Sequence, residues 1–143
     1  MSALNLAAAA LDLRAILHAT LSAEPSVRAV LGEPVRAWDD PPSTAQGDPL
    51  HPYLTYGDMR STDTSGDGAP QSSHQITLHV WSRYNGRAEV LNLLRLISDA
   101  LEAALPHRVL PLYVDAVRAP DGLTFHGLLR LSITQTHEEG GAS

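Results

Sequence analysis

The chain has 143 residues, which fits one domain built around a single core. Apolar residues make up 43% and charged residues 18%, so a disordered tail or a fibrous repeat is excluded and the charged surface is sparse. The net charge is −6, all ten basic residues are arginines and there is no cysteine; with no basic stripe, groove-type nucleic-acid binding is disfavoured, and disulfide scaffolds, thiolate metal sites and cysteine nucleophiles are ruled out.

Residues 5–23 carry Leu6, Ala10, Leu13, Leu17 and Leu21 at helical spacing, with intrinsically favourable alanines between them. The apolar stretch at residues 4–11 has no basic region before it and meets Asp12 and Arg14 almost at once. It therefore does not resemble a signal peptide, and no run reaches the roughly 20 apolar residues of a spanning helix, so a soluble chain with no membrane partner is expected. Pro25 ends this first helix. Ser26 is the expected cap of a short turn over residues 27–31, which Gly32 stops. A brief strand at 35–38 is followed by the polar loop opened by Asp39-Asp40-Pro41-Pro42.

Strands are expected at 53–60 and 74–83, joined by an irregular loop over 61–73 rich in Ser, Thr, Asp and Gly. Within the second, His74, Ile76, Leu78, Val80 and Ser82 share one face, with Gln75, Thr77, His79, Trp81 and Arg83 on the other. After the turn signal Tyr84-Asn85-Gly86, residues 87–105 form a second main helix. Its polar strip, Asn92, Arg95, Asp99 and Glu102, is narrow, leaving an apolar arc of roughly 220° where a surface helix needs about 100° or more. Two coverings are open: a neighbouring subunit reached through Leu93 and Leu96 at the arc's margin, or a helix sandwiched within its own core. Residues 108–118 and 123–135 make a hairpin around Ala119-Pro120-Asp121-Gly122, and Pro111 marks an edge or a bulge. The fold class is α+β: an antiparallel or mixed sheet with two main helices on one face, in the order α-β-β-β-α-β-β. Residues 1–136 form one domain and 137–143 a flexible tail.

Catalytic patterns are weak. The seven histidines are scattered, and His74 and His79 fall on opposite faces of their strand. Asp63-Thr64-Ser65-Gly66-Asp67-Gly68 matches the first half of a calcium loop, then fails: His74 stands at position twelve, Pro70 intrudes and no helices flank it. Neither the P-loop, the dinucleotide fingerprint nor the G-x-S-x-G elbow is present. Asp39-Asp40 and Glu138-Glu139 sit in loop and tail, where solvated charge is the default. Trp81 among polar neighbours is either an interface anchor or a residue packed under a helix.

Three stretches carry a resemblance: "VRAVLGEPVRAWDD" at 27–40 with "HPYLTYGD" at 51–58, "HQITLHVWSRYNGRAEVLNLLRLISDALEAA" at 74–104, and "DGLTFHGLLRLSI" at 121–133. In this order they resemble the tail terminator, or tail-completion, proteins of long-tailed phages and gene transfer agents. The connection through Ala45-Gln46-Gly47-Asp48 is longer than that pattern. The resemblance implies a structural virion protein with no catalysis and no cofactor. It implies a ring, generally of six copies, that caps the tail tube at the tail–neck junction, ends its polymerisation and docks the head-side connector or stopper protein. It further implies that DNA passes through the lumen without sequence-specific binding and that assembly takes place in the bacterial cytoplasm. Six copies would carry roughly −36 in sum, a charge that lets DNA slide. The expected interface residues are Asp63, Asp67 and Gly68 at the hairpin tip, Trp81 and Arg83 on the strand, and Leu93 and Leu96 on the helix. Rival readings are a stopper or adaptor, a small ligand-binding or enzymatic α+β domain, and a generic dimer.

Overall fold

Asn5 starts the first helix by accepting a hydrogen bond from the Ala8 amide at 2.9 Å, one of the donors a helix N-terminus leaves unpaired. The computed structural model of the protein describes residues 4–42, 50–83 and 86–137. Helix α1 spans Leu6–Ala23 and α2 spans Pro25–Leu31. Glu24 serves both: it closes α1 in an extended conformation, and its carboxylate accepts from the Ser26 amide and hydroxyl at 3.4 and 3.0 Å. The cap of α2 is therefore Glu24 and not Ser26, because Pro25, lacking an N–H, fits the first helical position. Gly32 ends α2 at φ 90°, a conformation that suits glycine.

The remaining elements are β1 (Ala37–Trp38), β2 (Tyr53–Asp63), β3 (Gln71–Ser82), α3 (Ala88–Ala104), β4 (Arg108–Arg118) and β5 (Phe125–Thr136). The strands form one sheet in the order β1-β2-β3-β5-β4. β1 runs parallel to β2 and all other pairs are antiparallel, so the α+β architecture with a mixed sheet is as expected, with α2 as an added short helix.

The β2–β3 hairpin is longer than its composition suggests. Pairing continues through Asp63↔Ser72, leaving only residues 64–70 as connection in place of the irregular 61–73 loop. At this end the helix-facing side of the sheet is polar. Ser61 Oγ lies 2.7 Å from His74 Nδ1, while Ser72 Oγ and Gln135 Oε1 each lie 2.9 Å from His74 Nε2. A strand whose inward residues are hydroxyls, an imidazole and an amide loses the apolar alternation by which strands are recognised. His137, expected in the tail, is held as well: its amide donates to Pro70 O at 2.7 Å and its Nε2 sits 2.7 Å from Ser72 Oγ. Residues 138–143, the 43–49 connection and Tyr84-Asn85 of the turn lie outside the described residues.

All three helices lie on one face. α3 crosses β3, β4 and β5, α1 covers β2 and β3, and α1 and α2 pack against α3. The core gathers Leu13, Leu17 and Leu21 of α1, Val27 and Leu31 of α2, Ile76, Leu78 and Val80 of β3, and Leu129, Leu131 and Ile133 of β5. The wide apolar arc of α3 is accounted for within this protomer, by the sheet beneath it and by α1 and α2 beside it. Leu93 is fully buried and Leu96 is half-buried against the core, so Leu93 offers no surface to a neighbour. Leu91 is the leucine of α3 that stays exposed.

Candidate functional site

The seven expected interface residues fall in three separate places. Asp63, Asp67 and Gly68 stand exposed at the β2–β3 hairpin tip. Asp63 Oδ1 accepts from the Ser65 amide at 2.9 Å, and the hydrogen bonds from Ser65 hold its carboxyl below the usual range. The tip is thus a self-bonded turn, and the half-matched calcium pattern has its first ligand engaged in it. Among the described residues no three His, Asp or Glu side chains converge in a way that could hold a metal ion.

Trp81 and Arg83 lie at the other end of β3, roughly 30 Å away at about 3.3 Å per residue. Trp81 is on the face opposite the helices, so it does not pack under one. Its ring stacks on His126 with centroids 4.0 Å apart and planes 3° apart, and Tyr53 stacks at 6.2 Å. Its Nε1 donates to Thr55 Oγ1 at 3.1 Å. His79 Nδ1 lies 2.7 Å from His126 Nε2, and burial pushes both imidazoles down from their ordinary value. Arg83 contacts Thr124 Oγ1 at 3.4 Å and, with His51, Tyr53, Trp81 and Asp121, borders a shallow cavity of about 220 Å³. Asp121, bonded by the Leu123 and Thr124 amides and the Thr124 hydroxyl at 2.7–2.8 Å, is lowered to about 2. These groups order the surface and brace the β4–β5 turn.

The Ser61–His74 contact does not form a hydrolytic site. His74 is fully buried, its pKa lowered first by that burial, and the group that orients it is the neutral Gln135 amide where a triad would use a carboxylate. The amide in turn reaches His107 Nε2 at 3.2 Å, so the network serves to satisfy polar groups at one end of the core.

Sequence reasoning missed the most conspicuous surface. β4 is an edge strand, and Leu110, Leu112, Tyr113, Val114 and Val117 on it are 42–53% exposed. The available signal was Pro111, which marked the edge, within a run of apolar residues lacking alternation. The register shifts between Pro111 and Tyr113, turning apolar side chains toward both faces of the sheet. At the opposite edge, among the described residues, β1 covers only Leu54 and Thr55, so β2 has no further strand partner there from Tyr56 onward. Beside that edge a groove of about 430 Å³ runs between α1 and β2, past Ala10, Leu11, Tyr56 and Met59. Arg14 lies 3.5 Å from the centre of the Tyr56 ring and pairs with Asp39 at 3.1 Å. Burial pushes the Tyr56 hydroxyl up to about 12, and that hydroxyl meets His18 Nδ1 at 2.8 Å.

α1 is long and apolar enough to cross a membrane by length and composition alone. Its leucines at 13, 17 and 21 belong to the core.

The surface thus offers an apolar row on the β4 edge and an apolar groove beside the β2 edge. The family model described as "Tail completion protein gp17" matches residues 15–136, and the chain belongs to that family. It is accordingly a structural tail protein of a phage or a phage-like gene transfer particle. No curated protein matches the chain. Among solved structures, a chain of a particle titled "Virion of native gene transfer agent (GTA) particle" is similar in fold, with a TM-score of 0.66 and 19% identity. The match covers 85% of this chain and 92% of that one.

Proposed function

We propose that this chain is the tail terminator: a ring, of six copies, that closes the finished tail tube, stops its growth and presents a docking surface to the head-side connector. The observation that carries this reading is the pair of unlike apolar surfaces at opposite ends of one sheet. A closed ring needs each copy to offer two different patches, one to each neighbour, and this chain offers β4 at one edge and the α1–β2 groove at the other. The exposed hairpin tip at Asp63, Asp67 and Gly68 projects beyond the sheet and suits contact with the tube or with the adjacent subunit. DNA passes through the lumen without base-specific contact, and the role needs no cofactor and no catalysis.

The reading is tested by adding the purified chain to polymerising tail-tube protein and measuring tube lengths. A terminator shortens the length distribution as its concentration rises. Tubes that elongate unchanged would contradict the assignment. Binding confined to ends already capped by another protein would favour the stopper or adaptor alternative.

A further inference from the structure

We propose that His107, Gln135, His74 and Ser61 form a reversible chain of hydrogen bonds: a proton taken up by His107 turns the Gln135 amide over and moves the hydrogen of the buried His74 from one ring nitrogen to the other. The direction of the chain at neutral pH follows from what each atom can do. The Gln135 amide nitrogen only donates, so His107 Nε2, 3.2 Å away, accepts, and His107 carries its hydrogen on Nδ1. Gln135 Oε1 only accepts, so His74 Nε2, at 2.9 Å, carries the hydrogen of that ring. His74 Nδ1 then accepts from the Ser61 hydroxyl at 2.7 Å. Ser72 Oγ, 2.9 Å from the same Nε2, shares that hydrogen and turns its own to His137 Nε2 at 2.7 Å. Every one of these groups is paired while the three imidazoles are neutral.

A proton on His107 Nε2 sets one donor against another. Turning the amide relieves this: Oε1 accepts from His107, and the amide nitrogen donates to His74 Nε2, which gives up its hydrogen. His74 regains one at Nδ1 by exchange with water and donates it to Ser61 Oγ, so the net uptake is the single proton on His107. Ser72 Oγ, released from His74, is then free to accept from His137. His74 is fully buried, and the charges that act on it are the imidazoles of His107 and His137, so it answers by changing tautomer and not by ionising. The two outer rings are half-buried and border a cavity of about 370 Å³ beside α1, which Asp12 also lines. Asp63 of β2 acts on His137, and the exposed Arg108 follows His107. Burial, and then His137, hold His107 below the ordinary imidazole value, so the reversal falls below about pH 6.5. The chain thereby carries the protonation state of the cavity to the β2–β3 hairpin, where Ser61 and Ser72 reverse their hydroxyls.

Long-range nitrogen–proton NMR of the histidine rings reads which ring nitrogen holds the hydrogen, and the experiment is a titration from about pH 8 to about 5. His74 should be the Nε2–H tautomer at the upper end and the Nδ1–H tautomer at the lower, remaining neutral and changing with the midpoint of His107. His137→Ala should leave that change in place. In the double variant His107→Ala with His137→Ala, His74 should hold one tautomer at every pH, the backbone amide spectrum showing the fold intact. A His74 that keeps Nε2–H while His107 titrates, that ionises with it, or that begins as Nδ1–H would overturn the proposal. A tautomer change that survives in the double variant would overturn it as well, as would a chain that unfolds before His107 takes up its proton. Should the double variant not fold, the titration of the unmodified chain decides alone.

Discussion

His79 and His126 meet through ring nitrogens 2.7 Å apart, so they share one proton and resist a second. Burial is the first cause that holds these two, and likewise His74 and His107, below the ordinary imidazole value. The sign follows from linkage. Unfolded imidazoles take up protons below about pH 6.5 that the folded ones refuse, so stability is fully present above that value and is lost as pH falls. The melting temperature should be nearly flat from pH 8 to about 7 and decline between about 6.5 and 5. A melting temperature unchanged down to pH 5 would show that the folded imidazoles titrate normally. Gly57 belongs to the same cluster. A Cβ there would lie 2.7 Å from His79 Nε2 and 2.9 Å from Thr77 O, so Gly57→Ala should cost about 1–3 kcal/mol in denaturant unfolding. A neutral result would mean that β2, whose register against β3 shifts between Tyr56 and Met59, yields freely there.

At the scale of elements, the contact between α3 and β5 sets the thickness of the molecule. A Cβ on Gly127 would meet Val80 Cγ2 at 2.8 Å and Leu94 Cδ1 and Val90 Cβ at 3.1 Å, so glycine is what lets the helix lie against the strand. Gly127→Ala should destabilise by about 1–3 kcal/mol through overpacking. Leu93→Ala should cost about 2–5 kcal/mol, as for a fully buried leucine, with no change in association that outlasts the loss of fold. Leu112→Asp, on the exposed edge, should change unfolding free energy by less than about 0.5 kcal/mol. Equal losses from the two leucine variants would contradict the division between core and edge. The same contrast shows what was legible in the sequence. The alternation of β5, the stripe of α1 and the Gly122 turn at φ 74° were plain, because one apolar face against one polar face has a period that can be read. Leu93 was misplaced because a helical wheel gives the width of an apolar arc and not the number of partners covering it. Ser61 and Ser72, which bond the buried His74, read as loop from the sequence, since hydrogen bonds that satisfy buried groups leave no pattern in one strand alone. The β4 patch and the groove were not legible, for they exist only once the sheet order makes β4 and β2 its open edges.

At the scale of the whole molecule, low charge, no lysine, the apolar row of β4 and the apolar groove beside β2 agree with the proposed ring subunit, whose flanks would be covered. The polar tip of the β2–β3 hairpin lies beyond the groove residues Tyr56 and Met59 and away from β4, so in the proposed ring it is left for the tube. Asp67→Lys at that tip should therefore leave the melting temperature and the self-association intact while weakening capture on tube ends, read by co-sedimentation with preformed tubes. Unaltered capture would move the tube contact elsewhere. The central claim is tested most directly by imaging tail tubes assembled with this chain present and averaging their ends. The account predicts a single six-fold ring of the chain on one end of each arrested tube. Bare ends on tubes of unrestricted length, or chain bound along the tube wall, would contradict it.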